Sequence, residues 1–289
     1  MTRLVYYLFI KPISLLPLSV LHLISNLLFF IVYHIMGYRK KVVEENIANS
    51  FPEKSSRECK KIVKAFYRHF ADLIVESMKN FSISKKEALE RCVLENPEVL
   101  DSIYEEGRHA IIVGGHYSNW EMLAVALNPQ VKHQTVGIYS PLSNTIFNAK
   151  FAESRSKFGL NLVAKDEVSN YFKENHPKPT ATIFAADQSP TFIKDNTYWT
   201  TFLNQDTPMM FGTEKYATEY NYPVVFVSIS KVKRGYYKMH LTLLEDNPQT
   251  SGKYSITEKH TRVLEAQIRK NPEQYLWTHK RWKHKRKVG

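Results

Sequence analysis

Between Lys11 and Arg39 the chain carries no charged side chain, and residues 13–36 read ISLLPLSVLHLISNLLFFIVYHIM. Such a run is long enough to cross a bilayer, which takes roughly 20 apolar residues. It exceeds the apolar core of a secretory signal and lacks a small-x-small cleavage site, so it is expected to be retained. Ser19, His22 and Asn26 fall at i, i+3 and i+7 and make a polar stripe against an apolar face of Leu16, Leu23, Leu27 and Phe30. That stripe suits a helix lying in the interface, or one whose polar edge meets the rest of the protein. The competing reading is a packing helix in a soluble core. The expectation is a membrane anchor over residues 1–37 followed by one domain over residues 38–289, with Tyr38-Arg39-Lys40-Lys41 as a basic collar for acidic headgroups.

Beyond the collar, residues 54–79 place Ile62, Val63, Phe66, Phe70, Leu73 and Ile74 at helical spacing, and residues 84–92 suggest a second helix. Strands are expected at 110–115, 135–139, 180–186, 224–230 and 238–244, and helices at 119–127, 144–158, 166–174, 213–220 and 256–270. Strands separated by helix-length segments predict an α/β fold with a largely parallel sheet flanked by helices. The last two strands, joined by Lys233-Arg234-Gly235, read as an antiparallel hairpin, so the sheet is mixed.

The net charge of +12 calls for an acidic partner. Nucleic acid is not expected, because the chain holds no zinc spacing, no RNP-type aromatic block and no strong helix-turn-helix pattern. An anionic membrane and an acidic carrier protein remain. Cys59 and Cys92 lie too far apart to read as a metal pair and are expected to be reduced and structural.

The chemistry concentrates where the run Ala110-Ile111-Ile112-Val113-Gly114-Gly115 gives way to His116-Tyr117-Ser118-Asn119-Trp120-Glu121. An imidazole and a carboxylate five residues apart can remove a proton from a hydroxyl, His116 as base and Glu121 orienting the ring. No Ser or Cys nucleophile is embedded in the motif, which points to a nucleophile belonging to the substrate and to direct acyl transfer onto a hydroxyl. The competing reading is an ordinary loop histidine before a glutamate that favours a helix N-terminus. Gly114 and Gly115 offer close backbone approach and N–H groups for an oxyanion, or serve only as turn formers. Asn119 suits a helix cap better than a direct contact. Asp187 ends the strand Ile183-Phe184-Ala185-Ala186, where open α/β folds place ligand contacts, unless it merely caps the following turn. Pro208-Met209-Met210-Phe211-Gly212 either lines a tunnel or packs in the core.

Gly115-His116-Tyr117-Ser118-Asn119-Trp120-Glu121 resembles the G-H-x-G-N-W-E block of the bacterial lipid A biosynthesis acyltransferases, the lauroyl/myristoyl late acyltransferases. The resemblance runs nearly end to end. Asn46-Ile47-Ala48-Asn49-Ser50-Phe51-Pro52, Ala186-Asp187-Gln188 with Thr201-Phe202-Leu203 and Phe211-Gly212-Thr213, and Pro272-Glu273-Gln274-Tyr275-Leu276-Trp277 with Lys280-Arg281-Trp282-Lys283 resemble its other blocks. Ser118 departs from the family's usual glycine, and serine takes φ > 0 only at a cost.

The resemblance implies a glycerolipid-acyltransferase-like fold at the cytoplasmic face of a bacterial inner membrane. It implies an acyl carrier protein thioester as donor, a hydroxyl of a lipid A precursor or similar glycolipid as acceptor, and neither metal nor redox cofactor. His116 and Glu121 would be the catalytic dyad. Arg155 would face the phosphate or oxyanion side of the substrates, unless it belongs to a solvated basic helix face with Lys150 and Lys157, and Asp187 would be a second essential acid with Gln188 beside it. Apart from the resemblance, Gly115 and Asn119 stand as further candidate substrate contacts beside their turn and cap readings. The basic run from Lys280 to Lys287 would attract the carrier or lipid phosphates, or be a solvated tail. Alternatives keep the chemistry on another lipid acceptor, such as a mannoside glycolipid or an aminolipid, or turn His116 on water as a thioesterase. A further alternative is a non-catalytic membrane-binding protein.

Overall fold

The computed structural model describes residues 2–194 and 197–286. Met1 of the expected anchor and Lys287 of the basic run lie outside them. A seven-stranded sheet runs in the order β1-β9-β8-β2-β5-β3-β4, with β1 Cys92–Leu94, β2 Ala110–Gly114, β3 Gln134–Tyr139, β4 Asn161–Ala164, β5 Thr180–Ala185, β8 Val224–Lys233 and β9 Tyr236–Glu245. β6 Trp199–Phe202 and β7 Gln205–Pro208 form a separate antiparallel pair. In the main sheet β8, β2, β5, β3 and β4 are mutually parallel, and β9 returns antiparallel to β8 as the hairpin reading predicts.

β2 is central and covered on both faces, which is why its sequence is apolar without alternation. Ile111 and Val113 join a core with Val43, Ile47, Phe66, Tyr67 and Ile268. Ala110 and Ile112 point the other way, to Met122, Val125, Leu100 and Val225. Five parallel strands therefore present their C-terminal ends on one edge, the usual ligand edge of an open α/β sheet.

The apolar N-terminal segment is not one helix. Helical turns over Thr2–Val5, Tyr6–Ile10 and Lys11–Leu15 stop where Leu16 turns extended, and a second helical stretch starts at Leu18–Phe30 and continues as a π-helix over Ile31–Met36. Pro17 causes the break: its ring pushes the preceding residue out of the helical region, and it has no N–H to donate. The unbroken stretch Leu18–Met36 is long and apolar enough to cross a membrane, and Gly37 ends it in the left-handed conformation. Leu23, Leu27 and Phe30 are each more than half exposed, whereas Leu21 and Ser25 are buried. The polar edge meets the rest of the protein, with one substitution in the expected stripe. His22 contacts Glu76 and Asn26 accepts from Arg234, but the third member is Ser25, which donates to Asp72, while Ser19 is exposed.

Helix Ser56–Lys79 starts at a capping box between Ser55 and Glu58 and lies along the apolar N-terminal helix. Both cysteines are free, and burial pushes the Cys92 thiol up to about 12, so it stays protonated.

Candidate active site

The register between β2 and β5 pairs Gly114 with Ala185, so two residues further on His116 stands beside Asp187. His116 Nδ1–H donates to Asp187 Oδ1 at 2.8 Å. That bond fixes the tautomer and leaves Nε2 as the basic nitrogen, which the Gln188 side-chain amide approaches at 3.3 Å. Burial works against the imidazolium, yet the charge and hydrogen bond of Asp187, with Glu121 adding to them, leave the His116 pKa raised. Asp187 is buried; desolvation opposes its ionisation, but His116 and the guanidinium of Arg281 hold its carboxyl below the usual range.

The expectation that Glu121 itself orients the imidazole is corrected. Glu121 sits in the first turn of helix Trp120–Ala126 and faces helix Thr145–Ser156, where Arg155 grips both its oxygens, Nε to Oε2 at 3.0 Å and Nη2 to Oε1 at 2.6 Å. A bidentate fork is a better partner for a carboxylate than one imidazole N–H. Glu121 therefore reaches His116 through its field, and Asp187 holds the ring. Trp120 packs edge-on to the imidazole, with ring centroids 5.2 Å apart.

Asn119, expected to contact substrate, is not among the residues that border the cavity beside His116. It is fully buried, its Oδ1 accepts from Met122 N as the helix cap, and its Nδ2 donates to Glu76. Gly115 is on the cavity wall, but its missing side chain has a packing reason: a Cβ there would lie 2.8 Å from Leu264. Ser118 adopts φ 55, the left-handed conformation for which glycine is the easy choice, and its buried hydroxyl has no partner among the described residues.

The sequence blocks at the two ends of the chain clamp this turn. Ser118 N donates to Gln274 O at 2.8 Å and Leu276 N to His116 O at 3.1 Å, with Tyr117 and Tyr275 bridged between them. Asn46 in turn holds the carbonyls of Trp277 and His279, and Phe51 packs on Trp277. Arg281 is buried rather than displayed. It donates to Pro208 O, while Trp282 stacks on Phe202, so the basic run turns inward at these two residues between the exposed Lys280 and Lys283.

His116, Glu121, Arg155 and Gln188 all border one cavity of about 860 Å³. Its lining is largely apolar, including Ile138, Leu160, Leu162, Phe184, Met210 and Val227. That volume is within the usual range for small-molecule pockets, about 300–1,000 Å³. Of the Pro208–Gly212 turn, Met210 and Gly212 face the cavity, whereas Met209 is buried against Arg281. A basic imidazole nitrogen, an adjacent guanidinium and an apolar chamber suit transfer of a long-chain acyl group. The sequence matches the bacterial lipid A biosynthesis acyltransferase family over residues 1–284. The chain belongs to that family. It is accordingly an acyl-transferring enzyme, and the family is typically membrane-associated in bacteria. No curated protein matches the chain at a significant level.

Proposed function

We propose that the chain moves a fatty acyl group from an acyl carrier protein thioester to a hydroxyl of a lipid A precursor, the hydroxyl of a 3-hydroxyacyl chain, at the cytoplasmic face of the inner membrane. The observation that carries this is the Nδ1–Asp187 bond, which leaves His116 Nε2 as base at the edge of an apolar chamber. His116 takes the proton from the acceptor hydroxyl, and the oxygen attacks the thioester carbonyl. Arg155, whose Nε and Nη2 are engaged by Glu121, has Nη1 to offer the developing oxyanion. The C–S bond then breaks, and the departing thiolate receives the proton from the imidazolium, so base and enzyme return unchanged. Asp187 stabilises the imidazolium between those steps. Gln188, at hydrogen-bond distance from Nε2, occupies the place the acceptor hydroxyl would take.

Purified protein given acyl carrier thioester with and without lipid acceptor tests the reading. Acyl ester on the lipid only when acceptor is present is the expected result. Release of free fatty acid at the same rate regardless of acceptor would replace it with hydrolysis.

A further inference from the structure

Glu76 is fully buried in the C-terminal half of helix Ser56–Lys79, and four separate parts of the chain converge on it. His22 of the apolar helix donates Nε2–H to Oε1 at 3.2 Å. Asn119 donates Nδ2–H to Oε2 at 2.7 Å, Tyr237 of β9 donates its hydroxyl to the same oxygen at 2.8 Å, and the Arg91 guanidinium lies 3.6 Å away. A buried carboxylate survives desolvation only when its oxygens are met in this way.

We propose that Glu76 is a positioning residue for the catalytic turn, and that the apolar N-terminal helix completes it through His22. The primary amide of Asn119 has one donating and one accepting end. Because Glu76 accepts from the nitrogen, the oxygen is obliged to face Met122 N and cap helix Trp120–Ala126. That helix carries Glu121, and the residue before Asn119 is the left-handed Ser118, two positions from His116. Loosening Glu76 therefore loosens the Glu121 side of the Glu121–Arg155 pair and the approach of His116. The fit around His22 is close as well: Gly235, at φ 79 in the β8–β9 turn, would place a Cβ 2.7 Å from Leu18 and 3.1 Å from His22 Cε1. Arg234 beside it donates to His22 O, Asn26 and Asp72. The helix with the exposed apolar residues is thus seated on the same polar hub that sets the active-site cap, and its seating is coupled to turnover.

The inference rests on His116 acting as the base, so the test keeps the two apart. Full-length wild type, His22→Ala, His22→Gln, Glu76→Gln and His116→Ala are compared for acyl transfer and for backbone hydrogen exchange. Misplacing reacting groups by a fraction of an ångström to 1 Å costs about 10- to 100-fold. His22→Ala and Glu76→Gln should lower kcat by roughly tenfold or more with KM within about twofold, and exchange at the Met122 and Leu123 amides should quicken ahead of the β2 and β5 amides. His22→Gln, which retains a donor, should recover most of both. Wild-type kcat in His22→Ala alongside an inactive His116→Ala would overturn the coupling and leave the base in place. Activity surviving in His116→Ala would instead remove the functional reading, while the exchange pattern still decides whether Glu76 positions the cap. Exchange quickened evenly over the molecule, or a His22→Gln variant no better than His22→Ala, would reduce Glu76 to a packing role.

Discussion

At the scale of single residues, the His116–Asp187 pair makes two commitments. His116→Ala should lower turnover by about 10²- to 10⁴-fold, the scale of general-base catalysis, and Asp187→Asn should fall in the same range without adding to it, because the two act as a unit. The pH dependence has a defined sign. The base works deprotonated and its folded pKa is raised, so kcat/KM should climb with pH through a midpoint above the ordinary imidazole value of 6.5. Removing the Asp187 charge takes away the largest contribution raising that pKa, so the midpoint in Asp187→Asn should move to lower pH while the plateau drops. A midpoint that moves up, or stays put, would mean that another group governs the limb. Ser118 allows a stability test. The left-handed conformation costs an ordinary residue roughly 1–2 kcal/mol, and glycine's greater freedom in the unfolded chain gives back about 0.4–1 kcal/mol of that. Its unpaired buried hydroxyl adds to the cost. Ser118→Gly should therefore raise Tm by about 1–3 °C in detergent, at roughly 2–4 °C per kcal/mol for large domains, and a fall in Tm would show that the hydroxyl has a partner in solution.

At the scale of elements, what could be read from the chain and what could not divide along one physical line. β2 and β5 are legible as apolar runs bounded by turn residues, and the β8–β9 hairpin as two strand-like stretches joined at Gly235. The contact that matters most, His116 with Asp187, joins residues 71 positions apart and is set by the β2–β5 register, which no local spacing reveals. The five-residue spacing of His116 and Glu121 suggested a direct contact instead, and nothing in the spacing announces the Arg155 fork that claims the carboxylate. The β6–β7 pair escaped notice because its turn, Leu203-Asn204, takes positive φ at both positions without a glycine to mark it. Helix Lys40–Ser50 was hidden behind a collar read as headgroup contacts. The C-terminal blocks are part of the family resemblance, and the fold gives them a structural part: Gln274 and Leu276 grip the backbone on either side of Tyr117. Replacing Leu276 by proline removes the N–H that holds His116 O. Activity should then fall at least tenfold with KM changed less than kcat, and unchanged kinetics would deny the clamp a part in placing the base.

At the scale of the whole molecule, charge and the cavity rim are connected. Ser189 borders the cavity and donates its N–H to His279, and His284 donates to Pro190 O, so the basic C-terminal segment lies against the rim loop. Arg281 is buried and belongs to the scaffold, and Arg286 pairs with Asp206. Among the described residues, Lys280, Lys283 and Lys285 are the exposed cations of that segment without an acidic partner in an ion pair. Their reach depends on ionic strength, because the Debye length shrinks from about 30 Å at 0.01 M to about 8 Å at 0.15 M salt. Reversing all three to Glu should raise KM for an acyl carrier thioester several-fold at low salt, leave kcat nearly unchanged and flatten the salt dependence, since rim charges act mainly on encounter. An acyl-CoA surrogate separates the two acidic partners. If the segment meets the carrier's surface, the reversal has little effect on the surrogate; if it holds lipid phosphates, both donors suffer alike. Kinetics identical to wild type with both donors at about 0.01 M salt, where screening is weakest, would leave the segment with no part in either encounter.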